Sequence, residues 1–289
     1  MKSSTAVISL LSAAAPLASA WGDLGHQAIA YVAQDFLSSE TKSWAQDILS
    51  DTSTSYLANY ATWADTFKYT SAGSFSKPYH YIDANDNPPS SCSVDYDRDC
   101  DGGGCVVAAI SNYTGIMQSD SSSTDQNQAL KFLIHFFGDI HQPLHDEALE
   151  VGGNDIDVKY SGSSTNLHHI WDTNMPEQYA GGYSLSDARA WATELTQSIK
   201  SGDYSDQSDD WLDGMDIDDP KDSAMTWASD SNSYVCTSVF SESQSQIEKD
   251  MDLAGDYYDQ ALPVIQVQFA KAGYRLGAWL NLIATGSTS

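Results

Sequence analysis

The sequence predicts one all-α domain with long functional loops. Six stretches place apolar residues at helical spacing, two short stretches read as strands, and no Pro-rich or low-complexity linker divides the chain. In chain order, Ile29, Val32, Ala33 and Phe36 give one apolar face to a helix over 26–36. The same spacing predicts helices over 41–49, 106–117, 126–137, 186–199 and 262–283. Pro143 limits any helix after His141. Residues 79–82 and 156–160 read as short strands. Gly102-Gly103-Gly104 and Gly152-Gly153 mark turns, and the Ser/Asp-rich runs 119–125 and 201–210 read as surface loops. No internal repeat is evident.

The first twenty residues point to export. Lys2 supplies a positive start, 7–17 is an apolar run too short to span a bilayer, and Ala18-Ser19-Ala20 is a cleavage signal. The expected organisation is a signal peptide over 1–20 and one domain over 21–289, secreted, with Trp21 as the mature first residue. Four cysteines suit two disulfides in such a compartment. Three pairings are open. Cys100 and Cys105 are close enough for a small loop, in which case Cys92 and Cys236 close a long one. No C-x-x-C pair suggests a thiolate zinc site. Asn112-Tyr113-Thr114 is a glycosylation sequon.

Charge constrains the partner. Lys and Arg number 13 against 40 Asp and Glu, giving a net charge of −27. That excludes nucleic-acid binding through a broad basic groove. A nucleic acid could be held only by metal ions on phosphate and by stacking on bases.

The seven histidines are not scattered. His135 and Asp139 are four residues apart on an expected helix and share a face. His141 and His145 repeat the spacing, as do His168 and Asp172. One such pair is commonly a surface ion pair. Three, joined by His26 and His80 in aromatic surroundings, point to metal. Imidazole and carboxylate without thiolate suit zinc, and the same set accepts manganese or iron. Asp65 and Asp83 add carboxylates beside aromatics; for either alone, a cap or turn role is the ordinary reading.

The motifs W-G-x-x-G-H from Trp21, W-A-D from Trp63, P-Y-H-Y-I-D from Pro78, H-F-F-G-D-I-H-Q-P-L-H from His135, G-G-N from Gly152 and L-H-H-I-W-D from Leu167 occur in that order. The chain thereby resembles the fungal and plant single-strand-specific nucleases of the S-one and P-one type, from Trp21 to the last helix near Trp279. The resemblance implies the fold shared with zinc phospholipases C and three Zn2+. It implies that Trp21 binds one zinc through its free amine and carbonyl, beside His26. Asp139 then bridges to a second, held also by Asp65, His80 and His135, and His145, His168 and Asp172 hold the third. Asp65, Lys68 and Asp139 fall in the catalytic set, and Tyr81, Asp83, Val151 and Asn154 in the base and phosphate pocket. Lys68 stands where many relatives carry arginine, which forgoes a bidentate phosphate contact. Tyr81 replaces a phenylalanine of some relatives and keeps a ring for stacking. His141 is expected to orient a ligand, and His169 to lie off the metals.

The implied substrates are single-stranded DNA and RNA and 3′-nucleotides, cut to leave 5′-phosphates, by a monomer with neither membrane nor obligate protein partner. Two rivals make different demands. A zinc phospholipase C requires an apolar interfacial surface, and a metal-storing or adhesive protein binds zinc without turnover.

Overall fold

The computed structural model describes residues 21–289 except 101, 242 and 249–251; the expected signal peptide lies outside the described residues. Seven α-helices of eleven residues or more build the frame among them. They are α1 (Asp23–Gln34), α2 (Ser39–Leu49), α3 (Val106–Gln118), α4 (Ser123–Asp139), α5 (Leu185–Ser201), α6 (Pro220–Tyr234) and α7 (Asp256–Thr285). The expected all-α class holds, and all six expected helices form. Side-chain caps set several starts. Ser38 accepts from Thr41 N, Ser122 from Asp125 N, and Ser184 forms a capping box with Asp187.

Apolar faces decide the packing. α1 turns Leu24, Ala28, Ile29 and Val32 inward and lies against α5 and α7. α4 packs on α3 and α7, so that α7 backs both helices that carry the first site residues. α4 buries every residue from Phe132 to Asp139, polar ones included. Gly138 is required there: a Cβ at this position would lie 2.5 Å from His26 Nδ1. The glycine lets α1 and α4 bring two imidazoles together.

Two expectations change. α6 was not anticipated, because Pro220–Tyr234 is largely polar. Asp219 caps it by accepting from Asp222 N, Pro220 occupies its first turn, and burial of Ala224, Trp227 and Ala228 against α3 supplies the rest. Residues 79–82 form no strand. Ser74–His80 is a 3-10 helix, after which Tyr81 is extended. Single bonds then tie this segment to the chain after His145: Ile82 N donates to His145 O at 2.8 Å and Ala148 N to Ala84 O at 3.1 Å. The second expected strand forms as β1 (Asp157–Tyr160), paired antiparallel with β2 (Ser163–Asn166).

The disulfides are Cys92–Cys236 and Cys100–Cys105, with sequence separations of 144 and 5. Loop-closure entropy makes the long link worth about 4–5 kcal/mol and the short one about 2 kcal/mol. Cys92→Ser with Cys236→Ser is therefore expected to lower unfolding free energy by the larger amount in denaturant titration. A loss no greater than that of the Cys100/Cys105 pair would contradict the entropic account.

Candidate metal centre

Helix geometry assembles the first donors. His135 and Asp139 close the last turn of α4, with His135 Nε2 3.3 Å from Asp139 Oδ2. α1 delivers His26, whose Nε2 lies 3.4 Å from Asp139 Oδ1. His80, ending its 3-10 helix, brings Nδ1 to 3.0 Å from Asp139 Oδ2. Asp65, on the short helix Trp63–Phe67, places Oδ1 3.5 Å from His135 Nε2 and 3.7 Å from His80 Nδ1. A further group lies alongside. His168 Nε2 is 3.0 Å from Asp172 Oδ2, across the turn where Leu167–His169 widens into a π-helical segment, and His145 Nε2 is 3.9 Å from Asp172 Oδ1.

Backbone carbonyls orient the rings. The Nδ1–H groups of His135, His145 and His168 donate to Ala61 O (2.7 Å), His80 O (2.7 Å) and Gly152 O (2.6 Å). Each Nε2 is thereby turned toward the donor groups, the usual arrangement of metal-binding histidine. Gln142 does the same for a carboxylate, its Nε2 donating to Asp172 Oδ1 at 2.6 Å while its Oε1 accepts from Leu144 N. Sequence reasoning passed over Gln142. Its place before Pro143, where a side chain caps the next turn, was the available signal.

These groups are buried, yet among the described residues both oxygens of Asp139, His26 Nε2, His145 Nε2 and Asp172 Oδ2 have no hydrogen-bond partner. Such atoms cost several kcal/mol together unless a cation satisfies them. Three trios, His26–Asp65–His135, His80–His135–Asp139 and His145–His168–Asp172, each bring their donor atoms within 4.8 Å of one another. Protonation follows the same electrostatics. Burial pulls His80 down to about 4 and also lowers His26 and His145. Burial acts the same way on His135, but Asp139 and Asp65 outweigh it and lift the ring to about 10. Burial alone would raise Asp139 and Asp65; the imidazoles, His135 first, hold both well below the usual carboxylate range. Anionic carboxylates, the lone pairs of His26, His80 and His145, and a His135 proton that a cation can displace fit divalent cations of the zinc type.

Trp21 lies beside these groups. Its indole is fully buried against Phe269, 4.6 Å between ring centroids, and Gly22 N donates to Asp172 O at 2.8 Å. The two unassigned histidines lie elsewhere. His169 lines a separate polar cavity with Asp157 and Asn166. His141, expected to orient a ligand, instead hydrogen-bonds Phe137 O (2.7 Å) and Arg275 Nη1 (2.9 Å), and Arg275 also reaches Asp230 of α6 at 3.0 Å. The partner that claims His141 comes from α7, beyond the reach of local spacing. His141→Ala is expected to cost about 2–4 kcal/mol through its cavity and broken hydrogen bonds, measured by denaturant unfolding, with zinc content unchanged. Loss of zinc would restore the orienting role.

A cleft of about 320 Å³ opens above the donors, lined in part by Lys68, His80, Tyr81, Asp83, Val151, Asn154 and His168. All four expected pocket residues meet there. Lys68 is buried, and its Nζ lies 2.6 Å from Asp65 Oδ1. Burial opposes its charge, but Asp65 more than compensates and raises its pKa. Tyr81 is 40% exposed on the wall. Val151 is 64% exposed with φ 58°, a left-handed conformation that β-branched residues avoid. Gly152 follows at φ 59°, where a Cβ would meet Leu144 O at 2.5 Å. Asn154 Nδ2 donates to Val151 O at 2.8 Å and braces the turn. Asn112 is exposed on α3, while Thr114 turns inward and accepts from Trp279 Nε1.

A helical frame, buried imidazole–carboxylate donors and the Lys68 ammonium at an open cleft define a candidate metal-dependent enzyme site. Comparison with known proteins supplies the family. The S1/P1 Nuclease family profile matches residues 21–285, so its match begins at Trp21. The chain is 59% identical over 273 residues to Nuclease S1 of Aspergillus oryzae, covering 94% of this chain and 95% of that one. It is 51% identical over 265 residues to Nuclease P1 of Penicillium citrinum (91% and 97%), and 31% identical over 275 residues to Endonuclease 3 of Arabidopsis thaliana (91% and 88%). The chain belongs to the S1/P1 nuclease family.

Proposed function

We propose that residues 21–289 form a secreted, monomeric endonuclease with three Zn2+ that hydrolyses single-stranded DNA and RNA to 5′-phosphate products and removes 3′-phosphates from nucleotides. The observation that carries this is the coincidence, in one cleft, of unsatisfied buried donors with an exposed ring at Tyr81. Trp21, His26 and Asp139 would hold one ion, Asp139, Asp65, His80 and His135 the second, and His145, His168 and Asp172 the third. Bound zinc supplies a water acidified toward neutrality and positive charge for the phosphoryl oxygens.

The chain supplies the positioning. Lys68, held by Asp65, adds fixed positive charge beside the scissile phosphate. Tyr81 and Val151 receive one base between them, Asp83 reaches the base edge, and Asn154 lies beside the sugar-phosphate. A base in a duplex is already stacked and cannot enter, which gives the single-strand preference. The metals also reconcile phosphate binding with a net charge of −27, because positive potential is needed only at the cleft floor. Asn112 is offered as the glycan site.

Parallel assays of the zinc-loaded, natively processed chain on denatured DNA and on phosphatidylcholine test the reading. Turnover of the lipid alone would assign a phospholipase C, and bound zinc without turnover of either would assign a storage role. Among the described residues no helix is long and apolar enough to cross a membrane. Lys68→Ala is expected to lower kcat on denatured DNA roughly 10²-fold, with Lys68→Arg recovering most of it. An unchanged kcat would remove Lys68 from the reaction.

A further inference from the structure

The cleft carries a ring and a cation that the proposed catalytic arrangement does not use. Among the described residues, the exposed large hydrophobic side chains are Tyr69, Phe75, Tyr81, Val151 and Tyr183. Three of these five, Tyr69, Tyr81 and Val151, line the same cleft. Tyr81 and Val151 already have a role there; Tyr69, 50% exposed, has none. Two cations approach its ring, with Lys68 Nζ 5.6 Å and Lys77 Nζ 5.7 Å from its centroid.

Cations are scarce in this chain, 13 against 40 acidic residues, so two at one exposed ring beside the metal cleft are not general solubilising charge. Lys68 is ion-paired with Asp65 and already has a role in the proposed reaction. Lys77 is exposed, lines the cleft, and forms no ion pair with a carboxylate among the described residues. The wall therefore leads from Asp65 through Lys68 to a solvent-facing ring, with a free positive charge beyond it.

We infer that Tyr69 and Lys77 form a second nucleotide subsite, in which an unpaired base stacks on the Tyr69 ring and Lys77 meets the adjoining backbone phosphate. The inference rests on the nuclease reading above. Base–aromatic stacking tolerates any base, and a lysine contacts phosphate as a point charge, so the subsite follows the strand without reading sequence. Requiring a second unstacked base also sharpens discrimination against duplex beyond what one pocket achieves.

Length dependence tests it. For the zinc-loaded, natively processed chain, kcat/KM is measured on a 3′-mononucleotide and on a hexadeoxynucleotide, and their ratio compared across variants. Tyr69→Ala should lower the oligonucleotide-to-mononucleotide ratio about tenfold, and Tyr69→Phe should restore it. Lys77→Ala should lower the ratio and reduce the slope of log(kcat/KM) against log salt on the hexamer by about 0.7. A Tyr69→Ala ratio equal to wild type, or equal losses on both substrates, overturns the subsite while leaving the nuclease reading intact. A wild-type chain inert on both substrates overturns the nuclease reading itself.

Discussion

Asp139→Asn should leave one zinc per chain instead of three and lower hydrolysis of denatured DNA by at least about 10³-fold, since loss of the ions removes both the acidified water and the charge compensation. Asp139 is fully buried, and both its oxygens lack hydrogen-bond partners. His26, His80 and His135 converge on it within 3.0–3.4 Å. An amide of the same shape removes the negative charge and presents an NH2 donor toward the cation sites. The His145–His168–Asp172 group is anchored by its own carboxylate and by carbonyls of His80 and Gly152, and should keep its ion. Elemental analysis gives the count, and circular dichroism checks that the helices persist. Unchanged zinc stoichiometry would eliminate the bridging role.

A natively folded chain with one extra residue before Trp21 should hold two zincs and lose activity by about 10²-fold or more, an effect of the size seen when one charge-stabilising element is removed from an active site. Extension converts the α-amine into an amide, whose nitrogen lone pair is delocalised and no longer available to a metal. The position is tightly fixed. The Trp21 indole is buried on Phe269, Gly22 N is bonded to Asp172 O, and Gly22 O receives His26 N at 3.3 Å. On this proposal, cleavage after Ala20 both exports the chain and creates a ligand, so the uncut precursor should also fall one zinc short. Full metal content and full activity in the extended chain would refute the amine ligand.

Much of the site was legible because helices convert sequence spacing into geometry. His135 and Asp139, like His168 and Asp172, meet because four residues bring side chains to one face of a helix, and the structure joins both pairs. The same spacing misleads at His141 and His145, where Pro143 starts a 3-10 turn. His145 faces the donors, while His141 turns to Arg275 of α7. α6 escaped notice because its helical state depends on one capped end and a few buried side chains rather than on a strong apolar stripe.

The sequence by itself determined the helical class, the donor chemistry and the family motifs, since periodicity, residue type and order are local properties. Tertiary structure decided which donors meet, because His26, Asp65 and His80 come from separate segments with no fixed spacing to Asp139. It selected two disulfides from three possible pairings. It also set Val151 in a left-handed turn and left Tyr69 uncovered at the cleft, because backbone strain and exposure exist only once distant segments have packed.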